Sequence, residues 1–287
     1  MTKATVTISD ALSDFALSGV KGLTNEYVPP PFERFDPDGS WTQTYAMYVL
    51  IPRESIRVGE FTLVRQPQGS NTFTLGVYPR RLSVSGFSQF ERAELHCRSD
   101  ALASPVTWVF DSKLARKASD PPYLQSGRRF TGMVRNGVLM IRDNIRTTRT
   151  PLHGAYGSEW TLLEAVQRLP RQHTRTLSYT LIKQFATPEP FHTLAYRDLV
   201  TIDLKDGPLK LHSYCDIGSG VIPTTYWVDE HNRLVFVCSG LQVYALTAVN
   251  GLTGQCPQRY VSSHRPPPGG GIAAPPANRR NANHAQK

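Results

Sequence analysis

The 287-residue chain lacks the signatures on which most assignable chemistry depends. It has no Walker loop, no His-Glu-x-x-His helix and no dinucleotide fingerprint after a strand, so nothing indicates a phosphate-loop, zincin or nicotinamide enzyme. Gly218-Ser219-Gly220 lacks the Gly-x-Ser-x-Gly frame of a nucleophile elbow. The four cysteines, Cys97, Cys215, Cys238 and Cys256, form no Cys-x-x-Cys pair, which argues against a zinc knuckle or a thioredoxin-type motif. Cys215 and Cys238 fall in neighbouring strand candidates where a bridge is conceivable; free buried thiols are the simpler expectation, because spacing alone does not set Cα distances. No apolar run approaches the length of a membrane-spanning helix. Met1–Thr7 has no basic start followed by an apolar run, so it does not read as a signal peptide. The compartment stays open, with the envelope or periplasm expected if the precursor is longer.

Charge is present, and unevenly placed. The formal net charge is +9, and Ser112 to Lys183 alone holds 13 Lys or Arg against 4 Asp or Glu. Its plain reading is a solvated basic surface. Its functional reading is a patch for an acidic partner or anionic lipid headgroups; nucleic acid is not expected.

The clearest helix signal runs from Ser158 to Arg168. Ser158 is a good N-cap, Glu159 suits the positive end of the helix dipole, and Pro170 ends the run. Leu162, Leu163, Val166 and Leu169 recur at helical spacing. This predicts Trp160 and Leu163 facing inward, with Glu164 and Gln167 on the opposite, solvent side.

The rest reads as strands. Residues 1–41 give a short amphipathic helix at Asp10–Leu23 and a Pro-rich lead-in. Residues 42–250 form one β domain in two repeats, about 42–145 and 174–248, joined by a basic loop and the helix. Asn136-Gly137 between two apolar runs signals a type I′ hairpin. Residues 251–287 read as a disordered basic tail rich in Pro and Gly.

The repeat rests on three ordered matches. Leu95-His96 to Asp100 parallels Leu211-His212 to Asp216; Pro105 to Asp111 parallels Pro223 to Asp229; Thr42 to Ile51 parallels Thr174 to Ile182. Two antiparallel meanders side by side make a sheet of about ten strands, and a sheet of that size curls. The expected fold is therefore mainly β: a duplicated antiparallel meander forming one strongly curved, incompletely closed barrel, with the helix on its concave face.

The strand series, the helix with Trp160 between the halves, and the Tyr226–Val235 hairpin together resemble the lipoprotein-carrier half-barrels of the bacterial envelope, the LolA and LolB type, over roughly residues 42–248. That resemblance implies a concave apolar surface for acyl chains or another greasy ligand. Trp160, Leu163, Trp108, Phe110 and Tyr226 are the candidate cavity residues. The function expected is non-enzymatic binding of a lipid or other hydrophobic ligand. The alternatives are a hydrolase using rim carboxylates and histidines, and a structural or interaction module. No cofactor is indicated and no catalytic residue is assigned. His96, Asp100, His212 and Asp216 are weak metal candidates; the plainer view makes them turn and strand residues kept by a repeat.

Overall fold

The structure is a computed structural model that describes residues 20, 23, 27–31, 35–51, 54–84, 86–117, 120–123, 126–204 and 206–251. The strands run in order: β1 Trp41–Ile51, β2 Glu54–Pro67, β3 Thr72–Val84, β4 Phe87–Arg98, β5 Pro105–Ala115, β6 Arg128–Arg135, β7 Val138–Arg142, β8 Thr147–Pro151 and β9 Tyr156–Ser158. Helix α1, Glu159–Ala165, follows. Then come β10 Thr176–Lys183, β11 Thr187–Leu204, β12 Gly207–Ile217, β13 Thr224–Asp229, β14 Leu234–Ser239 and β15 Gln242–Gly251.

All fifteen strands lie in one sheet, in the order 8-7-6-5-4-3-2-1-15-14-13-12-11-10-9. Two meanders, β1–β8 and β10–β15, meet where β1 pairs with β15. Eight neighbouring pairs carry a register shift, for example between Met47 and Tyr48 and between Tyr196 and Leu199. Such bulges bend and twist the bulged strand, which turns a long sheet into a trough. Edge strands β8 and β9 are joined by only four residues of chain, so the curl must bring the two edges near each other, yet they do not pair. The result is the strongly curved, incompletely closed barrel that the pattern implied, with fifteen strands in place of ten.

The main core fills the concave side, where Trp41, Phe61, Leu75, Leu95, Phe130, Trp160, Leu181 and Tyr226 belong to one cluster. β4 shows the rule: Ala93, Leu95 and Cys97 point in while Glu94, His96 and Arg98 are exposed. β13 and β14 break it, being buried along almost their whole length. The outer face of β13–β15 carries a second cluster of Trp227, Val235, Phe236, Cys238, Val243 and Ala245, joined by Val20, Leu23 and Tyr27. Of the helix expected at 10–23, only Val20 and Leu23 fall within the described residues, and both are helical and buried. The tail expected at 251–287 lies outside them apart from Gly251, as does Cys256.

The matched motifs fall in the β4–β5 and β12–β13 hairpins, but they do not occupy equivalent places. Leu95 opposes Trp108, whereas Leu211 opposes Asp229, three positions beyond Tyr226, the counterpart of Trp108. An odd slip of register exchanges the two faces. Leu95 accordingly lies in the concave core and Leu211 in the convex one. The third match has the same trouble: β1 and β4 are three strands apart and run oppositely, while β10 and β12 are two apart and run together. Cys215 and Cys238 are free. Thr225 of β13 stands between them, and two strand spacings of about 4.8 Å exceed the reach of a disulfide.

Candidate functional site

α1 begins as its sequence directs. Ser158 is extended, its Oγ accepts from Thr161 N at 3.1 Å, and Ser158 N donates to Thr161 Oγ1 at 2.9 Å. This is a reciprocal capping box. Thr161 Oγ1 also donates to Leu102 O at 3.1 Å, which pins the helix start to the turn between β4 and β5. The helix ends at Ala165, earlier than the expected Arg168, and Trp160 through Ala165 are all buried.

Glu164 and Gln167 are therefore not on a solvent face, contrary to the helical pattern. Glu164 is 0% exposed. Arg65 Nε donates to its Oε1 at 2.8 Å, and Arg168 embraces it through Nε at 2.8 Å and Nη2 at 2.9 Å. One buried carboxylate thus sits between two guanidiniums, in the only way such a charge is tolerated. Arg65 also donates to the carbonyls of Asp38 and Gly39 and stacks on Phe73. Gln167 exchanges hydrogen bonds of 2.8 and 3.0 Å with Gln43, donates to Leu163 O at 2.9 Å and accepts from Leu234 N at 3.2 Å. The helix is surrounded by sheet, so every face of it needed a partner.

The five candidate cavity residues are all buried in the concave core. Trp160 stacks on Phe185 at 6.0 Å and meets Phe61 edge-on at 5.4 Å. Phe110 lies 5.2 Å from Phe185 and 4.9 Å from Phe130. Trp108 Nε1 donates to Phe185 O at 2.9 Å, and its ring lies where a Cβ on Gly132 would stand, so only glycine fits there. Leu163 and Tyr226 complete the wall, and burial pushes the Tyr226 hydroxyl well above the usual phenol range. Sequence reasoning missed Phe185, the hub of this cluster. It sits in the β10–β11 turn at φ 60°, where strand periodicity says nothing about inward facing.

The weak metal candidates do not converge, and no cluster of metal-binding side chains occurs among the described residues. His96 is exposed beside Thr74 Oγ1 at 3.3 Å. Asp100 closes its own turn, accepting from Leu102 N and Ser104 N. His212 meets the Tyr196 hydroxyl at 3.1 Å. Asp216 is engaged elsewhere: Tyr179 donates to its Oδ1 at 2.6 Å, and His192 Nδ1 lies 3.0 and 3.1 Å from its two oxygens. Burial, with the Asp216 charge second, raises the Tyr179 hydroxyl far above the phenol range, so it serves as a fixed donor. All three side chains are buried, and a Cβ on Gly218 would stand 2.4 Å from His192 Nε2, so the backbone of Gly218 closes over the ring. A shallow hollow elsewhere, beside Leu169, Tyr196 and Tyr214, has a cavity volume of about 10 Å³, room for a single water.

No family model matches the sequence, and no curated protein matches it. Among solved structures, the chain is similar to a β-barrel-like protein of domain of unknown function DUF1849 from Brucella abortus, at 9% identity and a TM-score of 0.47, over 74% of this chain and 98% of that one. It is also similar to a DUF1089 family protein from Pseudomonas aeruginosa, at 14% identity and a TM-score of 0.32, over 75% of this chain and 96% of that one.

Proposed function

We propose that the protein is a non-enzymatic binding protein that takes a lipid acyl chain, or a molecule of similar greasiness, against the concave wall of its sheet. One observation carries this reading. An apolar interior walled by Trp160, Leu163, Trp108, Phe110 and Tyr226 is closed along one side by a seven-residue helix and a three-residue edge strand, with no strand pairing across the seam. The ligand enters by moving α1 and β9 aside and takes the place of Trp160 against Phe61 and Phe185.

The test is titration of the full chain with a fluorescent fatty acid, alongside mass spectrometry of lipid extracted from the purified protein. Saturable uptake is expected. Leu163→Ala, which vacates volume beside the helix, should take up the probe more tightly. No uptake by either protein would overturn the reading.

The hydrolase reading has one observation in its favour, the convergence of His192 and Asp216. Gly218 covers the imidazole nitrogen that would have to act as base. Ester turnover that disappears in His192→Ala would establish it.

A further inference from the structure

Strand pairing sorts every turn to one of two ends of the barrel. The ends of β1, β3, β5, β7, β10, β12 and β14 share one rim with the starts of the strands that follow them. The ends of β2, β4, β6, β8, β11 and β13 share the other. The large apolar side chains left in water are not divided evenly between them. Nine are exposed among the described residues, and Ile56, Tyr123, Ile145, Phe191, Ile222 and Leu241 stand at or next to the first rim. Ile145 is 93% exposed at a turn tip, Phe191 81% and Ile222 63%.

Phe191 holds its place at some cost. Its φ is 65°, a region that bulky L residues avoid, within the bulge where β10 and β11 lose register. That backbone turns His192 into the barrel and the phenyl ring out of it. Ile222 lies against the neighbouring turn, 3.5 Å from where a Cβ on Gly240 would stand, so Ile222 and Leu241 share one part of the rim.

The same rim carries the basic excess. Arg116, Lys117, Arg128, Arg129, Arg142 and Arg146 are exposed there. Lys117, Arg142 and Arg146 have no carboxylate within ion-pairing distance of their charged groups among the described residues. Arg129 pairs with Asp111 at 3.5 Å. The acids nearby are already engaged: Asp143 accepts from the backbone of Ile145 and Arg146 at 2.8 Å each, and Glu189 pairs with Lys183 at 3.2 Å.

We propose that this rim docks on an anionic lipid bilayer, with Ile145, Phe191, Ile222 and Leu241 entering the interface and Lys117, Arg142 and Arg146 meeting the headgroups. Single apolar side chains on separate turns, with cations between them, suit a soft anionic surface. A protein partner wants a contiguous apolar centre with charge at its margin. A nucleic acid wants rings to stack on, and three of these four tips are aliphatic. Docking is independent of whether the interior takes a ligand, so the two readings fail separately.

The experiment is sedimentation of the full chain with phosphatidylcholine vesicles, with and without phosphatidylglycerol. Binding to the anionic vesicles alone, weakening as salt is raised, is expected. Arg142→Glu with Arg146→Glu should lower the affinity at least about tenfold. Ile145→Asp should lower it as well, at unchanged melting temperature, because that side chain is 93% exposed. Arg135→Glu, the same kind of charge change on the opposite rim, should leave binding as it was. The basic tail is kept in every variant, so it contributes equally to all of them. Absence of binding to anionic vesicles overturns the proposal. So does equal weakening by the variants of the two rims, or capture of an acidic protein or RNA in place of vesicles.

Discussion

The outer surfaces of the two meanders are built differently. On β3 and β4 the outward positions Thr74, Glu94, His96 and Arg98 are polar and face water or one another. On β13–β15 the outward positions are Trp227, Phe236, Cys238 and Val243, and a second core lies on them. The first half is a one-sided sheet with its alternation intact. The second is a central layer, apolar on both faces, which is the pattern of strands covered from both sides. Curvature alone would have been satisfied by the first design. The second gives the barrel a stiff wall, and it leaves the weaker wall beside the seam.

The largest effects should come from breaking the covered layer and the ion triad on α1. Trp227→Ala should cost about 3–5 kcal/mol, although it touches nothing inside the barrel. Glu164→Ala should cost a similar 3–5 kcal/mol, because it leaves the Arg65 guanidinium buried without its counter-charge. Trp160→Ala belongs in the same range. Urea unfolding measures all three, and a silent Trp227→Ala would reduce the second core to a decoration. Next, Gln167→Ala should cost about 2 kcal/mol by orphaning Gln43 and Leu234 N. That helical position would be neutral if the helix lay on the surface.

A smaller effect is expected with pH. Burial raises the Cys238 thiol from its ordinary 9.0 to about 11. The unfolded chain therefore gives up this proton first. The contribution is whole below about pH 9 and is lost as pH rises through about 11. Cys238→Val should flatten part of the alkaline fall in melting temperature. The smallest effect should be His96→Ala, within about 0.5 kcal/mol, since its place on the bare outer face is nearly free of contacts. A larger cost there would erase the contrast between the halves.

Most of the strands were legible, because alternation and the Asn136-Gly137 turn are local signals. Asn136 and Gly137 do take positive φ values of 51° and 71°, as a type I′ turn requires. β8 was not legible: Thr147-Thr-Arg-Thr-Pro is exposed nearly throughout, so no apolar face marks it. Nor was the true setting of α1. A helical wheel sorts residues by polarity, and Glu164 and Gln167 were sorted outward. Only the fold reveals that Arg65, ninety-nine positions away, waits for one and Gln43 for the other. The Tyr179–Asp216–His192 contact escaped for the same reason, since three strands had to be brought together before those groups could meet. The equivalence of His96 and His212 failed because a sequence match is blind to a three-residue slip across a hairpin.

The segment 152–155, which joins the two edges, sets how the barrel can open. From Pro151 to Tyr156 there are five backbone steps, so those ends can part by at most about 17 Å. That is wide enough for a single acyl chain and too narrow for a folded partner. The tie lies at the rim opposite the apolar turn tips. A pouch stitched at one end gapes at the other, and here the free end is the one that carries Ile145 and Phe191. If the proposed docking holds, anything loaded into this barrel would pass directly between bilayer and interior, with no need to cross water on the way.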